Sequence, residues 1–244
     1  MRLYINNFGR FQMSKKLITA IAAATLGASA LSAPAFAEVT ATAGFVSDYY
    51  YRGRNLGDGG ANGSIDFAND SGVYGGIWAI DDGSGANDGL EYDIYFGYGA
   101  EVADGLGLSI GYTRYEYTYS GDFEQEVNLG ASFGNFGLAI DIGEDDDEGD
   151  DEATDYVHIA ASVAINDIYS VTLGNYTPDT QDDDTGADTD EGHTYIEVSA
   201  GGEVAGLDAS MTIGTISEED DVKETDTSGY LVLSVSKTFD GLGF

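Results

Sequence analysis

The fold this sequence predicts is all-β: a closed, antiparallel, up-and-down transmembrane β-barrel of about twelve strands. Three observations predict it. About twelve short segments alternate apolar and polar side chains with period two. The connectors between them alternate short and long. A secretory leader stands ahead of the first segment.

The leader is compact. Met13-Ser14-Lys15-Lys16 is a basic n-region, Leu17 to Leu31 an apolar h-region, and Ala35-Phe36-Ala37 a small-x-small cleavage site. Met13 reads as the true start, residues 1–37 as a leader cleaved after Ala37, and residues 38–244 as the barrel. That barrel keeps Arg52, Arg54, Arg114, Lys223 and Lys237 against all 44 acids, a net charge of −39. So few scattered cations exclude a nucleic-acid partner, which needs a basic footprint. Cys 0 excludes disulfides and thiolate chemistry. Gly 35 and Tyr 17 with Pro 2, the aromatics regularly spaced, is a β-rich composition rather than a disordered one.

The segments follow in order. In the first, Val39, Ala41, Ala43 and Phe45, continued by Tyr49 and Tyr51, line one face, with Thr40, Thr42, Asp48, Tyr50 and Arg52 on the other. The second sets Ala61, Ile65 and Phe67 against Asn62, Ser64 and Asp66. The third, 73–80, is apolar on both faces, so its phase is open. The fourth is clearest: Leu90, Tyr92, Ile94, Phe96 and Tyr98 against Glu91, Asp93, Tyr95, Gly97, Gly99 and Glu101. In the fifth, Leu108, Ile110 and Tyr112 share a face, and Tyr115 and Tyr117 fall out of phase with them. A β-bulge near Thr113 restores the phase and turns Arg114 and Glu116 inward. The sixth sets Val127, Leu129 and Phe133 against Glu124, Glu126 and Asn128, and the seventh Phe136, Leu138, Ile140 and Ile142 against Gly137, Asp141 and Gly143. The eighth has Val157, Ile159 and Val163 against Tyr156, His158 and Ser162; the ninth Tyr169, Val171 and Leu173 against Ser170, Thr172 and Gly174. The tenth has Ile196 and Val198 against His193, Tyr195 and Glu197; the eleventh Leu207, Met211 and Ile213 against Asp208, Ser210, Thr212 and Gly214. The twelfth closes the series with Leu231, Leu233, Val235 and Phe239 against Tyr230, Ser234, Ser236 and Thr238.

Tight turns are expected at 69–72, 103–105, 134–135, 166–167 and 205–206. Longer polar loops fall between them, at 53–60, 81–89, 119–122, 144–153, 178–192 and 217–228, of which 119–122 is short and fits least well. One trimmed end and one ornate end is the asymmetry of an outer-membrane barrel, with short periplasmic turns and longer, acidic extracellular loops. Hydrocarbon offers no partner to backbone polar groups, so strands enter it only as a closed barrel with an apolar exterior. Tyr49, Tyr51, Tyr92, Tyr115, Tyr117 and Tyr169 fall near segment ends, where an interfacial aromatic girdle is expected.

The stretch Ala43-Gly44-Phe45-Val46-Ser47-Asp48-Tyr49-Tyr50-Tyr51-Arg52-Gly53 resembles the opening of the TorF porin family, also called Gcw_chp. Gly63-Ser64-Ile65-Asp66-Phe67, Ser71 to Ala79 and Leu90 to Tyr98 are similar to its continuation. The likeness covers residues 43–101 and departs at Asn55-Leu56, where the family is expected to carry a Ser/Thr-Gln pair. It implies a bacterial outer-membrane location and a porin-like form, and brings no catalytic residue.

The inward face then holds the candidate pore-lining residues Asp48, Arg52, Asp66, Glu91, Asp93, Glu101, Arg114, Glu124, Glu126, Asp141 and Glu197. An acid-lined bore concentrates cations, and inward glycines leave room along the wall. The expected function is passive diffusion of small polar or cationic solutes, with outer-membrane lipid as the other partner and no cofactor. In a competing reading Tyr95, Tyr156, Tyr195 and Tyr230 pack over those glycines and close a non-conducting, structural barrel. The acidic loops carry Asp145, Asp146, Asp183 and Asp184 as candidate ligands for divalent cations. Their spacing does not match an EF-hand, and a solvated, self-repelling loop accounts for them. A third reading, an outer-membrane hydrolase, lacks a visible nucleophile constellation: His158 and His193 read as polar wall residues, and no Gly-x-Ser-x-Gly elbow is present.

Overall fold

The computed structural model describes residues 38–81, 89–120, 122–146, 154–178, 192–219 and 225–241. The leader and parts of the long acidic loops, with Asp183 and Asp184, lie outside them. Within these residues the chain is all-β. Its strands are β1 (Glu38–Val46), β2 (Asp48–Tyr51), β3 (Arg54–Asp58), β4 (Ala61–Ala68), β5 (Val73–Asp81), β6 (Leu90–Ala103) and β7 (Leu106–Tyr117). They continue with β8 (Phe123–Phe133), β9 (Phe136–Asp146), β10 (Thr154–Ala164), β11 (Tyr169–Pro178), β12 (His193–Val204), β13 (Leu207–Glu219) and β14 (Thr225–Phe239).

Twelve of these strands, β1 and β4 to β14, form a closed antiparallel barrel in which each strand pairs with its sequence neighbours. Closure comes from β1, which pairs with β4 from Glu38↔Ala68 to Phe45↔Ala61 and with β14 from Ala41↔Phe239 to Val46↔Ser234. No edge is left to template another strand. The short turns are built as their sequences require: the Asn69 side chain accepts the Ser71 amide at 3.0 Å, and Asn166 accepts those of Ile168 and Tyr169. Ala205 (φ 56) and Gly206 (φ 81) supply the paired positive φ values of a primed hairpin turn.

Period-two alternation sets the radial order. Ile65, Ile77, Phe96, Ile110, Leu173 and Ile213 are each more than half exposed on the outside. In water that face would forfeit about 25 cal/mol for each Å² of apolar surface left unburied, so its natural solvent is hydrocarbon. The inside is polar and differs between its two halves. Towards the short turns it is lined by small side chains whose hydroxyls pair across strands: Thr42 with Thr238, Ser199 with Thr212, and Ser210 with Ser234. Towards the long loops it holds tyrosines, carboxylates, histidines and the remaining two strands.

Those two strands, β2 and β3, form a separate two-stranded sheet. The reading of 39–52 as one continuous strand with a loop at 53–60 is therefore corrected: β1 ends at Val46, and 48–58 is a hairpin that folds into the barrel. The turn is two residues long, Arg52 (φ 50) and Gly53 (φ 86). A register shift between Tyr49 and Tyr50 leaves Leu56 unpaired. Ser47 fastens the root, its N–H donating to Leu233 O at 2.8 Å and its hydroxyl accepting the Leu233 amide at 2.9 Å.

The phase of β7 corrects a second expectation. Its register with β6 runs unbroken through Ile94↔Arg114 and Tyr95↔Thr113, and with β8 through Thr113↔Glu126. There is no bulge at Thr113. Arg114 and Glu116 face outward, ion-paired at 2.5 Å, with the guanidinium 3.8 Å above the Phe123 ring. Arg114 does not line the lumen. Tyr115 and Tyr117 do, as do Tyr49 and Tyr51 on the hairpin, so of the expected girdle Tyr92 and Tyr169 remain outside. The phase left open in β5 also resolves: Trp78 and Ile80 point inward, Ile80 fully buried and Trp78 with its ring 6.0 Å from Tyr49.

Candidate functional site: a hairpin-filled lumen

The hairpin tip is buried because the barrel wall receives it. Arg52 donates from Nη2 to both oxygens of Glu126, at 2.9 and 2.8 Å, and to Asp141 Oδ2 at 2.9 Å. Glu126 also accepts from Tyr115 Oη, Asn128 Nδ2 and Tyr156 Oη. Asp141 accepts from Asn128 Nδ2 and from His158 Nδ1 at 2.8 Å. Thr113 donates in turn to Asn128 at 2.8 Å. Charge-assisted bonds of this density offset the desolvation of a buried ion pair. They also hold Arg52 at a positive φ, which costs a side-chain-bearing residue about 1–2 kcal/mol.

Further contacts seat the hairpin from all sides. His193 Nε2 donates to Arg52 O at 2.8 Å, Tyr51 Oη lies 2.8 Å from Tyr115 Oη, and Tyr50 stacks on Tyr230 with ring centroids 4.1 Å apart. Gly53 approaches so closely that a Cβ there would overlap the Tyr195 side chain. The hairpin is thus fitted to the wall, not merely enclosed by it.

The wall has its own filling device. Tyr74 pairs with Gly97, Tyr95 with Gly76, Tyr156 with Gly143, Tyr195 with Gly174 and Tyr230 with Gly214 across neighbouring strands. In each pair a Cβ on the glycine would run into the tyrosine ring. The glycines therefore do not leave room along this part of the wall; they let aromatic rings lie flat on it. The hydroxyls reach carboxylates: Tyr95 Oη to Asp66, Tyr156 Oη to Glu126 at 2.9 Å, and Tyr230 Oη to Glu197 at 2.8 Å.

The inward carboxylates fall into two sets. Glu126 and Asp141 are consumed by Arg52. On the β6 side, Glu91 accepts Tyr49 Oη at 2.9 Å and Glu124 accepts Tyr117 Oη at 2.9 Å. Between them Asp93 is 0% exposed, and no donor reaches either of its oxygens. A cavity of about 210 Å³ opens above this set towards the loop end, lined by Leu56, Glu91, Tyr117, Tyr119, Ser120, Asp122, Glu124 and Asp145.

The other expected lumen residues are scattered. Asp48 sits at the hairpin root opposite Asp58, Asp66 faces inward from β4, and exposed Glu101 accepts the Gly105 amide at the short-turn mouth. Asp145 lines the cavity; Asp146 ends β9 opposite Phe123. Among the described residues no group of three or more His, Asp or Glu is placed to hold a metal ion. His158 is sealed, with Nδ1 on Asp141 and Nε2 3.0 Å from Tyr195 Oη. The residues the sequence did not single out are the hydroxyls of Tyr49, Tyr51, Tyr115 and Tyr117, with Thr113, Asn128 and Trp78. The available signal was Tyr49-Tyr50-Tyr51-Arg52-Gly53 itself: three aromatics before a turn-forming Arg-Gly, with no aliphatic partner, suit a hairpin better than a lipid-facing strand end.

A closed twelve-strand barrel, apolar outside and polar within, with a structured insert in its bore, defines a transmembrane β-barrel of the outer-membrane kind. Residues 30–144 match the family described as "Bacterial protein of unknown function (Gcw_chp)", the family whose opening motifs this sequence resembles. No curated protein matches the chain. Among solved structures, the COG4313 outer membrane channel of Pseudomonas putida F1 is similar at 11% identity and TM-score 0.48, over 85% of this chain and 97% of that one. Pseudomonas aeruginosa OprD is similar at 10% and 0.43, over 84% and 67%. Acinetobacter baumannii OccAB3 is similar at 10% and 0.40, over 81% of this chain and 60% of its own length.

Proposed function

We propose that the protein is a porin-like outer-membrane channel for small polar or cationic solutes, with hairpin β2–β3 forming its constriction. The observation that carries this reading is the division of the lumen. The half towards the short turns is lined by small hydroxyl side chains. The half towards the loops narrows between the hairpin and the carboxylates Glu91, Asp93 and Glu124. With Arg52 held by Glu126 and Asp141, the excess of carboxylates over the further guanidinium near Glu124, Arg54, sets the sign of the field at the narrow point, and it favours cations. The test is conductance in planar bilayers under a salt gradient. Cation preference is expected, and the triple variant Glu91→Gln, Asp93→Asn, Glu124→Gln should move the reversal potential towards zero. An unchanged reversal potential removes the selectivity assignment, and absence of current removes the channel.

A second reading has its own support. The hairpin is bound so completely that the barrel can serve as a closed, structural body. It predicts no current in the wild type under any gradient.

A further inference from the structure

The chain has two histidines, and both end at the tip of the lumen hairpin. His193, on β12, is 2% exposed and donates from Nε2 to Arg52 O at 2.8 Å. Among the described residues nothing reaches its Nδ1. His158, on β10, is 1% exposed. Its Nδ1 lies 2.8 Å from Asp141 Oδ2, the oxygen that also accepts from Arg52, and its Nε2 lies 3.0 Å from Tyr195 Oη. A carboxylate only accepts, so Nδ1 of His158 carries its proton and Nε2 accepts from Tyr195. These contacts need only neutral rings.

A second proton on either ring works against the docked tip. On His158 it faces the Arg52 guanidinium across their shared carboxylate. On His193 it makes a buried N–H without an acceptor, within the field of Arg54 on the hairpin. The groups around His158 are Asp141 on β9, Glu126 on β8, Tyr176 on β11, Tyr195 on β12 and Arg52. Those around His193 are Glu218 on β13, His158 on β10, Tyr176 on β11, Tyr195 on its own strand, and Arg52 and Arg54. Asp141, Glu126 and Glu218 attract a proton, but they belong to the wall and do so whether or not the hairpin is docked. Docking adds burial and the hairpin guanidiniums, and both oppose the charge. Its one favourable contact, the bond to Arg52 O, is made by the neutral ring as well. By linkage, protons that docking opposes must themselves oppose docking. We propose that hairpin β2–β3 is an acid-released latch, in which protons on His158 and His193 free its tip from the wall and widen the constriction. The proposal deepens the channel reading by giving its regulation, and rests on that reading only for the consequence in current. The root allows the movement. Val46 donates its N–H to Gly60 O at 3.0 Å and Ser47 holds Leu233, so the barrel stays tied while the hairpin pivots at Ser47 and at Gly59-Gly60.

The test records wild type in planar bilayers at about pH 7.5 and about pH 5, on either side of the ordinary imidazole range. Trp78 fluorescence in detergent is followed over the same range. Trp78 is the one tryptophan, and its ring lies 6.0 Å from that of Tyr49 on the hairpin. Larger conductance or longer openings in acid are expected, reversible and matched by the fluorescence change. The docked-to-released ratio should fall by at most about tenfold per pH unit for each histidine that takes its proton on release. In the double variant His158→Asn, His193→Gln, amides stand where Nδ1 and Nε2 donate and cannot take a proton. It should keep its neutral-pH conductance and fluorescence at both values. The proposal is overturned if wild type is the same at both, or if the double variant responds to acid as wild type does. Should the double variant fail to fold, wild type decides alone: a fluorescence midpoint below about pH 4.5, in the carboxylate range, overturns the assignment. A histidine-dependent fluorescence change in a barrel that carries no current would keep the latch and remove the channel. Steady current without an acid response would keep the channel and remove the latch.

Discussion

Arg52→Ala tests whether the hairpin is a seated constriction. The substitution deletes three hydrogen bonds of 2.8–2.9 Å to Glu126 and Asp141 and leaves two buried carboxylates facing each other. Breaking a buried ion pair from one side costs about 3–5 kcal/mol. Alanine brings no relief of backbone strain, because φ at this position stays near 50°. The ratio of docked to displaced hairpin should therefore fall by roughly two to nearly four orders of magnitude. The barrel itself should survive, since its strand ladders do not pass through the hairpin and Ser47 still ties the root to Leu233. The assay is single-channel recording. The variant should show a larger unitary conductance or long open dwells, with Arg52→Lys in between because an ammonium cannot bridge both carboxylates as a fork does. Identical conductance and dwell times in wild type and Arg52→Ala would refute the seating of the hairpin as the element that narrows the bore.

Three further outcomes follow from the same geometry. Gly143→Ala puts a methyl into the Tyr156 ring and should lower stability to urea by about 1–3 kcal/mol, whereas Gly202→Ala, which meets nothing within 4 Å, should stay within about 0.5 kcal/mol of wild type. Phe96→Arg, mid-strand on the outer face, should cost about 2–4 kcal/mol on folding into lipid vesicles; a neutral effect would contradict the lipid-facing assignment. Arg114→Ala should leave ion selectivity unchanged, because the guanidinium lies outside the bore; a shifted reversal potential would reinstate an inward Arg114.

Most of the barrel was legible because period-two patterning is written residue by residue. β6 is the clearest case: Glu91, Asp93, Tyr95, Gly97 and Gly99 all face inward as their alternation requires. Where the reading failed, lipid-facing character had been assigned by residue type. Tyrosine is amphipathic, equally at home in a membrane interface and against a buried carboxylate. Tyr115 and Tyr117 therefore look out of phase in the sequence, although the alternation through β7 is regular. The same ambiguity hid the hairpin: Tyr49 and Tyr51 continue the alternation of β1, and nothing local to them reveals that Glu91, Tyr115 and Glu126, far along the chain, supply their partners. The candidate site was legible in composition but not in pairing. Glu126 and Asp141 look equivalent to Glu91 and Asp93 in the sequence, and only the position of Arg52 singles out the pair that binds it.

That pairing follows from barrel size. Eight strands enclose an interior that wall side chains can fill unaided, and sixteen leave an aqueous channel. Twelve is too wide for the first and narrow enough to be crossed by one inserted element. The Tyr–Gly pairs thicken the wall by one aromatic ring, and the hairpin occupies what is left in the loop half. An insert of this kind must be held by polar contacts, because the lumen it enters is polar, and so its tip carries a guanidinium rather than an apolar anchor. Placing the guanidinium against β8 and β9 commits Glu126 and Asp141 to it, while on the other side of the lumen Glu91 accepts from Tyr49 and Glu124 from Tyr117. On the channel reading proposed above, narrowing and cation preference would share one cause in Arg52, whose contacts with Glu126 and Asp141 seat the hairpin.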